Sequence, residues 1–264
     1  MQFAYCIQPS LAAAAAIRYA ALFSTQPLIM PQVLGVLGGM GPLATVDFLR
    51  KLIEETPAAR DEDHLPVVVY SVPQIPARPP AITGNGESPL PAMLEGIRTL
   101  KQAGAVAIAI PCNTAHYWYA EMVREGGLPI IHIADAALAE LDSRRVNGKT
   151  IGLIATTGTL AAGFFQQRLA ASGFQSVTNS SADIEGLVLP AIEHVKRNEL
   201  DAAGELLETA LTRLNDDGAA AVILACTETP VVLDRLSPQI AARCIDATRA
   251  LAKACVKWWG RKQD

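Results

Sequence analysis

The sequence predicts an α/β protein made of two similar domains, each a parallel sheet flanked by helices, with a cleft between them. Short β-branched runs alternate with segments whose apolar residues recur at helical spacing, the pattern of strand–helix units around a parallel sheet. Near-continuous apolar runs such as residues 106–110 fit strands that are covered on both faces. A third observation, an internal repetition, indicates that there are two domains.

The predicted elements follow one another as short strands and longer amphipathic helices. Seven strands are predicted, at residues 33–37, 67–71, 105–110, 130–133, 150–154, 221–224 and 243–245. Helices are predicted between them, among others at residues 43–56, 91–103, 136–141, 160–172 and 202–214.

Three motifs occur twice in the same order. A glycine-rich turn begins at Gly35 and again at Gly152, 117 positions later. A cysteine that ends an apolar run stands at positions 112 and 226, and an aspartate that opens a helix stands at positions 135 and 246. The last two separations are 114 and 111 positions, so three ordered motifs at nearly one separation indicate an internal duplication.

The repetition sets the predicted domain boundaries. We expect residues 33–134 plus 246–264 to form the first α/β domain and residues 135–245 to form the second. Ligands of open α/β sheets bind beyond the carboxyl ends of the strands. Two facing halves therefore place Cys112 and Cys226 across one cleft, where we expect the active site.

Residues 1–32 are expected to be a disordered or weakly helical leader. Their Ala-rich stretch, residues 10–23, is too short and too weakly apolar to span a bilayer with Arg18 inside it. Residues 1–9 also lack the positive charge that precedes the apolar run of a signal peptide. We therefore expect no membrane partner and take Met30 as the working start.

The charge balance and the cysteine count exclude several classes of protein. Lys and Arg number 22 against 26 Asp and Glu, and the net charge of −4 argues against a nucleic-acid partner. Five cysteines without a CxxC pair or a zinc-type spacing predict neither a disulfide framework nor a metal site. They favour a reducing, cytoplasmic location. Cys6, Cys244 and Cys255 are interpreted as packing or leader residues.

A thiol on each wall of a cleft suits inversion of configuration at a carbon acid. One thiolate removes the proton from one face of the carbon, while the other thiol delivers a proton to the opposite face. A free cysteine has a pKa near 8.5, close enough to neutrality to serve in either role. The alternative, two buried cysteines that only pack as small apolar residues, explains a single cysteine better than it explains a repeated pair.

A dinucleotide site is the other chemistry that the glycine-rich turn suggests. Residues 39–44 fit the pattern G-x-G-x-x-A after a strand. No acidic residue ends the next strand, however, and Pro42 removes an N–H group that a pyrophosphate would use. The turn is therefore not interpreted as a nucleotide site.

Four segments together resemble the aspartate/glutamate racemase family. They are residues 38–45 (Gly-Gly-Met-Gly-Pro-Leu-Ala-Thr), 73–78 (Pro-Gln-Ile-Pro-Ala-Arg), 111–116 (Pro-Cys-Asn-Thr-Ala-His) and 225–228 (Ala-Cys-Thr-Glu). The resemblance implies two α/β domains related by a pseudo-twofold axis, and racemisation of an amino acid without a cofactor by a two-base mechanism. It also implies that Cys112 and Cys226 are the acid–base pair.

The same resemblance implies the residues that line the substrate. Carried over position by position, together with polar neighbours of the two cysteines, the candidate contacts are Met40, Gly41, Arg78, Asn113, Thr114, His116, Lys196, Thr227 and Glu228. The family's segment Ile-Pro-Asp-Arg-Thr reads Ile-Pro-Ala-Arg-Pro here, so Arg78 is kept while both polar neighbours are lost. Its guanidinium still suits a carboxylate, which favours aspartate or glutamate as substrate. For Lys196 a solvated position on a helix is the competing interpretation.

Three alternatives stay open at this point. The same architecture suits a hydantoin racemase or a maleate isomerase, and a two-lobed cleft also suits a non-catalytic amino-acid binding protein. The retained cysteine pair favours reversible racemisation of an amino-acid substrate with no cofactor and no metal. A homodimer is expected, because twofold assemblies are the commonest oligomers.

Overall fold

Two parallel four-stranded sheets form the framework of the chain in the computed structural model, which describes residues 32–260. The strands are, in chain order, β1 (Val33–Gly38), β2 (Val67–Ser71), β3 (Ala105–Ala109), β4 (Ile130–Ile131), β5 (Thr150–Ile154), β6 (Gln175–Thr178), β7 (Ala221–Leu224) and β8 (Cys244–Asp246). The first sheet has the order β2-β1-β3-β4 and the second has the order β6-β5-β7-β8. The two sheets are thus topologically equivalent, and the predicted fold class with its internal duplication is confirmed.

Helices connect the strands and cover both faces of the sheets. The α-helices are α1 (Pro42–Glu55), α2 (Arg78–Ile82), α3 (Leu90–Gln102), α4 (Tyr119–Gly126), α5 (Ile133–Ser143), α6 (Thr157–Ala162), α7 (Phe164–Ala171), α8 (Ser181–Asp183), α9 (Leu189–Lys196), α10 (Leu200–Asp216), α11 (Pro238–Ala241) and α12 (Ala247–Gly260). Three 3₁₀ helices, Asp61–Asp63, Thr114–Trp118 and Thr229–Arg235, and one π-helix, Ile184–Val188, complete the described elements.

The core has a central layer that the two sheets share. Buried side chains of β1, such as Leu34, lie in the same cluster as buried side chains of β5, such as Leu153. Helices α1, α5, α7 and α12 contribute to this cluster, and Cys255 of α12 is buried in it. The outer face of the first sheet packs on α3, and that of the second packs on α9 and α10, where Cys244 is buried.

The structure differs from the predicted elements at three places, with one helix divided, one strand shortened and one strand added. The helix predicted at residues 160–172 is divided into α6 and α7, because Gly163 between them has a φ of +71°. The strand predicted at residues 130–133 ends at Ile131, since His132 is the N-cap of α5. Strand β6 was not predicted, because Gln-Ser-Val-Thr carries a single apolar residue on an edge that is half exposed.

Two sequence expectations concern the N-terminal leader and the membrane. The predicted leader lies outside the described residues, except for Gln32, which precedes β1 directly. Within residues 32–260, no helix has both the length and the apolar composition that crossing a membrane requires.

Candidate active site

A small cavity lies at the carboxyl ends of both sheets. Cys112 reaches it from the turn after β3, and Cys226 reaches it from the turn after β7, the equivalent strand of the other sheet. The cavity has a volume of about 70 Å³, which suits a small ligand rather than a dinucleotide. Its wall consists of Met40, Arg78, Pro79, Cys112, Asn113, Thr114, Thr156, Ile192, Lys196, Cys226, Thr227 and Glu228.

Nine of the eleven residues proposed from the sequence therefore lie in one wall. Gly41 lies just behind it, where an added Cβ atom would be 3.3 Å from Oε1 of Glu228. His116 is placed elsewhere. Its Nε2 atom is 3.3 Å from the carbonyl oxygen of Ile110, and its ring centroid is 4.6 Å from that of His132, in the core.

Sequence reasoning missed three residues of the wall: Pro79, Thr156 and Ile192. Thr156 follows β5 in the turn that is equivalent to the glycine-rich turn after β1. The internal repetition could therefore have predicted its place in the wall. Pro79 is the neighbour of Arg78 and carries no chemical signal of its own. Ile192 comes from α9, a helix that the repetition does not predict.

Cys226 is hydrogen-bonded to a carboxylate in the same wall. Its thiol donates to Oε2 of Glu228 over 3.1 Å, and the hydroxyl of Thr227 donates to the same oxygen over 3.5 Å. The pKa of the Cys226 thiol is raised well above its usual value, first because the thiol is buried and then because the charge and hydrogen bond of Glu228 disfavour a thiolate. Cys226 is therefore protonated near neutral pH.

Asn113 presents an unused amide to the cavity. The residue is only 2% exposed, and neither its Oδ1 nor its Nδ2 atom has a hydrogen-bond partner. Such a group is costly in the free protein, because buried polar atoms are nearly always paired. The amide can donate to a carboxylate or accept from an ammonium group of a ligand.

Thr114 connects the two halves of the molecule at the cavity. Its hydroxyl is 2.8 Å from the hydroxyl of Thr159 and 3.3 Å from that of Thr156, the N-cap of α6. The cavity wall is thus continuous from the turn after β3 to the turn after β5.

Arg78 is held in place by backbone carbonyl groups. Its Nη1 atom donates to the oxygens of Ile75 and Pro76 over 3.2 Å each, and its Nη2 atom donates to Met40 over 3.4 Å. Its buried Nε atom has no partner. The edge of the guanidinium that carries this Nε–H group therefore has a free donor, and such an edge suits a carboxylate.

Lys196 lies at the rim of the cavity. Its ammonium group pairs with Glu193 over 2.7 Å, and its side chain is 49% exposed. The sequence left open whether this residue binds substrate or is solvated, and the structure places it both in the wall and at the surface. Among residues 32–260, no group of three or more His, Cys, Asp or Glu side chains is arranged to hold a metal ion.

Comparison with known proteins identifies the family of this chain. Residues 37–255 match the family model described as Asp/Glu/Hydantoin racemase. A broad specificity amino-acid racemase, RacX of Bacillus subtilis, is 28% identical over 229 residues, which are 85% of this chain and 96% of that relative.

Solved structures share the fold over most of the chain. The aspartate racemase of Picrophilus torridus is 33% identical, with a TM-score of 0.76 over 87% of this chain and 94% of that one. The glutamate racemase of Francisella tularensis, solved with D-glutamate, is 16% identical and shares the fold with a TM-score of 0.65 over 88% of this chain and 82% of that one. With a family match across both sheets and a like-sized relative that is one-third identical, this chain is a member of the Asp/Glu/hydantoin racemase family and thus an isomerase.

Proposed function

We propose that the protein racemises aspartate or glutamate without a cofactor, with Cys112 and Cys226 as the acid–base pair. The observation that carries the proposal is that two thiols from equivalent strand ends of two equivalent sheets line one cavity. In the reaction one sulfur takes the α-proton and the other gives a proton to the opposite face of the same carbon. The two sulfurs exchange roles in the reverse reaction, so the reaction runs in both directions.

The neighbouring residues supply what a cofactor would otherwise provide. The free edge of Arg78 suits a substrate carboxylate, and the unpaired amide of Asn113 suits a second polar group of the substrate. Donors that are already in place favour the negative charge that develops when the α-proton leaves. An amino acid with an acidic side chain is the preferred substrate, because the wall contains the two cations Arg78 and Lys196.

The test is incubation with L-aspartate, L-glutamate and a panel of neutral and basic amino acids in D₂O. Chirality and α-deuterium are followed together by mass spectrometry. We expect inversion with one α-deuterium per product molecule. Cys112→Ala and Cys226→Ala are each expected to lower the rate at least about 100-fold, since a positioned acid or base contributes that much.

Cys244→Ala is the matched control, because Cys244 is a buried thiol of the core outside the cavity wall. Normal rates in either cavity variant would refute the two-base assignment. Inversion of neutral or basic amino acids only would correct the substrate and keep the mechanism. Turnover of hydantoins or maleate without amino-acid exchange would replace the activity, and binding without exchange would indicate a binding protein.

The domain division, the oligomeric state and the location of the protein are also proposed. We propose that the domains comprise residues 33–134 plus 246–264 and residues 135–245, and that the protein works as a homodimer in the cytoplasm. Sedimentation equilibrium of the purified chain tests the homodimer, and a single species of monomer mass would refute it.

A further inference from the structure

The internal repetition fails at one chemically important position, the second residue after each cysteine. Thr114 occupies it in the first half and Glu228 occupies it in the second. The hydroxyl of Thr114 is hydrogen-bonded to Thr156 and Thr159 and not to Cys112. The carboxylate of Glu228 instead turns back onto its own cysteine, with Oε2 at 3.1 Å from Sγ.

The two thiols consequently stand in different surroundings. The structure records no hydrogen bond to the Cys112 thiol from any residue between 32 and 260. Within the same range, Glu228 has no cation within ion-pair distance, although it is only 7% exposed. The two cations of the cavity wall are engaged elsewhere, Arg78 by backbone carbonyls and Lys196 by Glu193.

We propose that Glu228 is a positioning residue that keeps the proton on Cys226, so that the resting enzyme has Cys226 as its acid and Cys112 as its base. This inference rests on the proposed two-base reaction and assigns its starting state. The electrostatics agree, because the carboxylate and the burial both raise the pKa of the Cys226 thiol. The charged and titratable groups that face Cys226 from the wall are Glu228, Cys112, Arg78 and Lys196.

The first turnover then follows one order of proton movement. The α-C–H bond breaks, its proton forms an S–H bond with the Cys112 thiolate, and its electron pair stays on the carbon. The S–H bond of Cys226 breaks as its proton forms the new C–H bond on the opposite face, and its electron pair stays on sulfur. The enzyme leaves this turnover with a Cys226 thiolate beside Glu228 and returns to rest when Cys226 regains a proton and Cys112 loses one to solvent.

The experiment measures the two thiols directly and needs no turnover. The rate of alkylation by iodoacetamide is measured from pH 6 to pH 10 for each cysteine, with the modified peptides quantified by mass spectrometry. The thiolate is the reacting form, so the profile reports deprotonation of each sulfur. Glu228→Gln keeps the size of the side chain and removes its charge. Glu228→Thr copies the first half of the molecule and serves as a second variant if the first does not fold.

In the wild-type protein we expect Cys112 to react at lower pH than Cys226. In both Glu228 variants the Cys226 profile is expected to move to lower pH by about one unit, which is about a tenfold faster reaction on the rising limb. Glu95→Gln is the matched control, since it removes an exposed carboxylate that pairs with Arg98 and lies outside the cavity wall. It is expected to leave the Cys226 profile in place.

An unchanged Cys226 profile in the Glu228 variants would overturn the inference, and so would an equal shift in the Glu95→Gln control. A wild-type profile in which Cys226 reacts at lower pH than Cys112 would also overturn it. Failure of the proposed function is seen in a different measurement, the absence of α-proton exchange with every amino acid. The alkylation profiles of both cysteines can still be measured in that case, so the two failures are distinguishable.

Discussion

Asn113 is a residue whose side chain fits the free protein poorly and suits a ligand well. Both of its amide atoms are buried without a partner, and such an atom costs about 1–3 kcal/mol. We therefore expect Asn113→Leu to raise the free energy of unfolding by about 1 kcal/mol. The same change is expected to lower kcat/KM about 10-fold or more, because a hydrogen bond to a charged group is worth about 1.5–3 kcal/mol. Urea unfolding and steady-state kinetics measure the two effects.

Asn179 provides the matched control for that prediction. It is also buried, but its Nδ2 atom donates to the carbonyl oxygen of Ala210 over 2.9 Å. Asn179→Leu is expected to lower the free energy of unfolding by about 1 kcal/mol, since it removes a formed bond. If Asn113→Leu destabilised the protein as much as Asn179→Leu, the amide of Asn113 would have a partner in solution.

The buried histidine pair makes stability depend on pH. Burial, with the charge of Arg168 adding to it, lowers the pKa of His132 to about 4, and burial also lowers the pKa of His116 well below its usual value. The unfolded chain therefore takes up protons first, near pH 6.5, while the folded chain does not. We expect the free energy of unfolding to fall as the pH is lowered from about 6.5 to about 4.

His132→Asn separates this titration from the structural role of the residue. His132 Nδ1 accepts a hydrogen bond from the backbone N–H of Ala134 over 3.1 Å, and an asparagine oxygen can replace that cap. We expect the variant to lose less stability between pH 7 and pH 4.5 than the wild type does, as measured by urea unfolding at each pH. Parallel pH curves for the two proteins would show that His132 does not carry the effect.

His116 illustrates how far residue chemistry can be predicted from the sequence. It stands four positions after Cys112, and that proximity suggested a place in the cavity. The 3₁₀ helix Thr114–Trp118 rotates successive side chains in different directions and turns the imidazole toward the core. Contacts of this kind depend on the local helix type, which apolar spacing does not reveal. The positions of the two cysteines in the turns after β3 and β7 were predictable. A residue that directly follows a strand of a parallel sheet lies at the carboxyl edge of that sheet, where ligands bind.

At the scale of elements, Gly163 decides where one helix ends and the next begins. Its φ of +71° lies in the left-handed region, and an added Cβ atom would have only Gln167 Nε2 nearby, at 3.6 Å. Space is therefore no obstacle, and the backbone conformation is the cost of a larger residue. Gly163→Ala is expected to lower the free energy of unfolding by about 1–2 kcal/mol.

Gly186 is the control for this substitution. It lies within the π-helix Ile184–Val188, and an added Cβ atom there would have no neighbour within 4 Å. Gly186→Ala is expected to raise the free energy of unfolding by about 0.5–1 kcal/mol. Thermal or urea unfolding of the two variants compares them, and equal effects of the same sign would contradict the backbone explanation.

The elements differ in how well their sequences predict them. Strands β1, β5 and β7 are buried along nearly their whole length and read as apolar runs, so they were predictable. Strand β3 was predictable from the same kind of run, although its Val106 is exposed. Strand β6 lies on an edge and has one apolar residue, so its strand character comes from pairing with β5. The helix predicted at residues 160–172 has the right spacing throughout, and only the backbone angle of Gly163 divides it.

At the scale of the whole molecule, a buried ion cluster connects the first half to the second. Lys51 of α1 is 2% exposed, and its ammonium group lies 2.5 Å from Asp47 Oδ2 and 2.6 Å from Asp246 Oδ2. Asp246 ends β8 of the second sheet, where the repetition had suggested only a helix-opening aspartate. The cluster therefore fixes α1 against the end of the second sheet.

Removing the cation leaves the buried Asp246 without an ion-pair partner among residues 32–260, while Asp47 keeps Arg50 at 2.9 Å. Loss of one partner of a buried ion pair costs about 3–5 kcal/mol, so Lys51→Met is expected to lower the free energy of unfolding by that amount. Arg98→Met removes an exposed cation, whose pair with Glu95 is more than 60% exposed on both sides, and is expected to cost at most about 1 kcal/mol. Urea unfolding of Lys51→Met, Asp246→Asn and the double variant measures the coupling, which we expect to be favourable by at least about 0.5 kcal/mol because the residues are in contact. Additive effects, or a Lys51→Met variant as stable as Arg98→Met, would show that this ion cluster does not hold the two halves together.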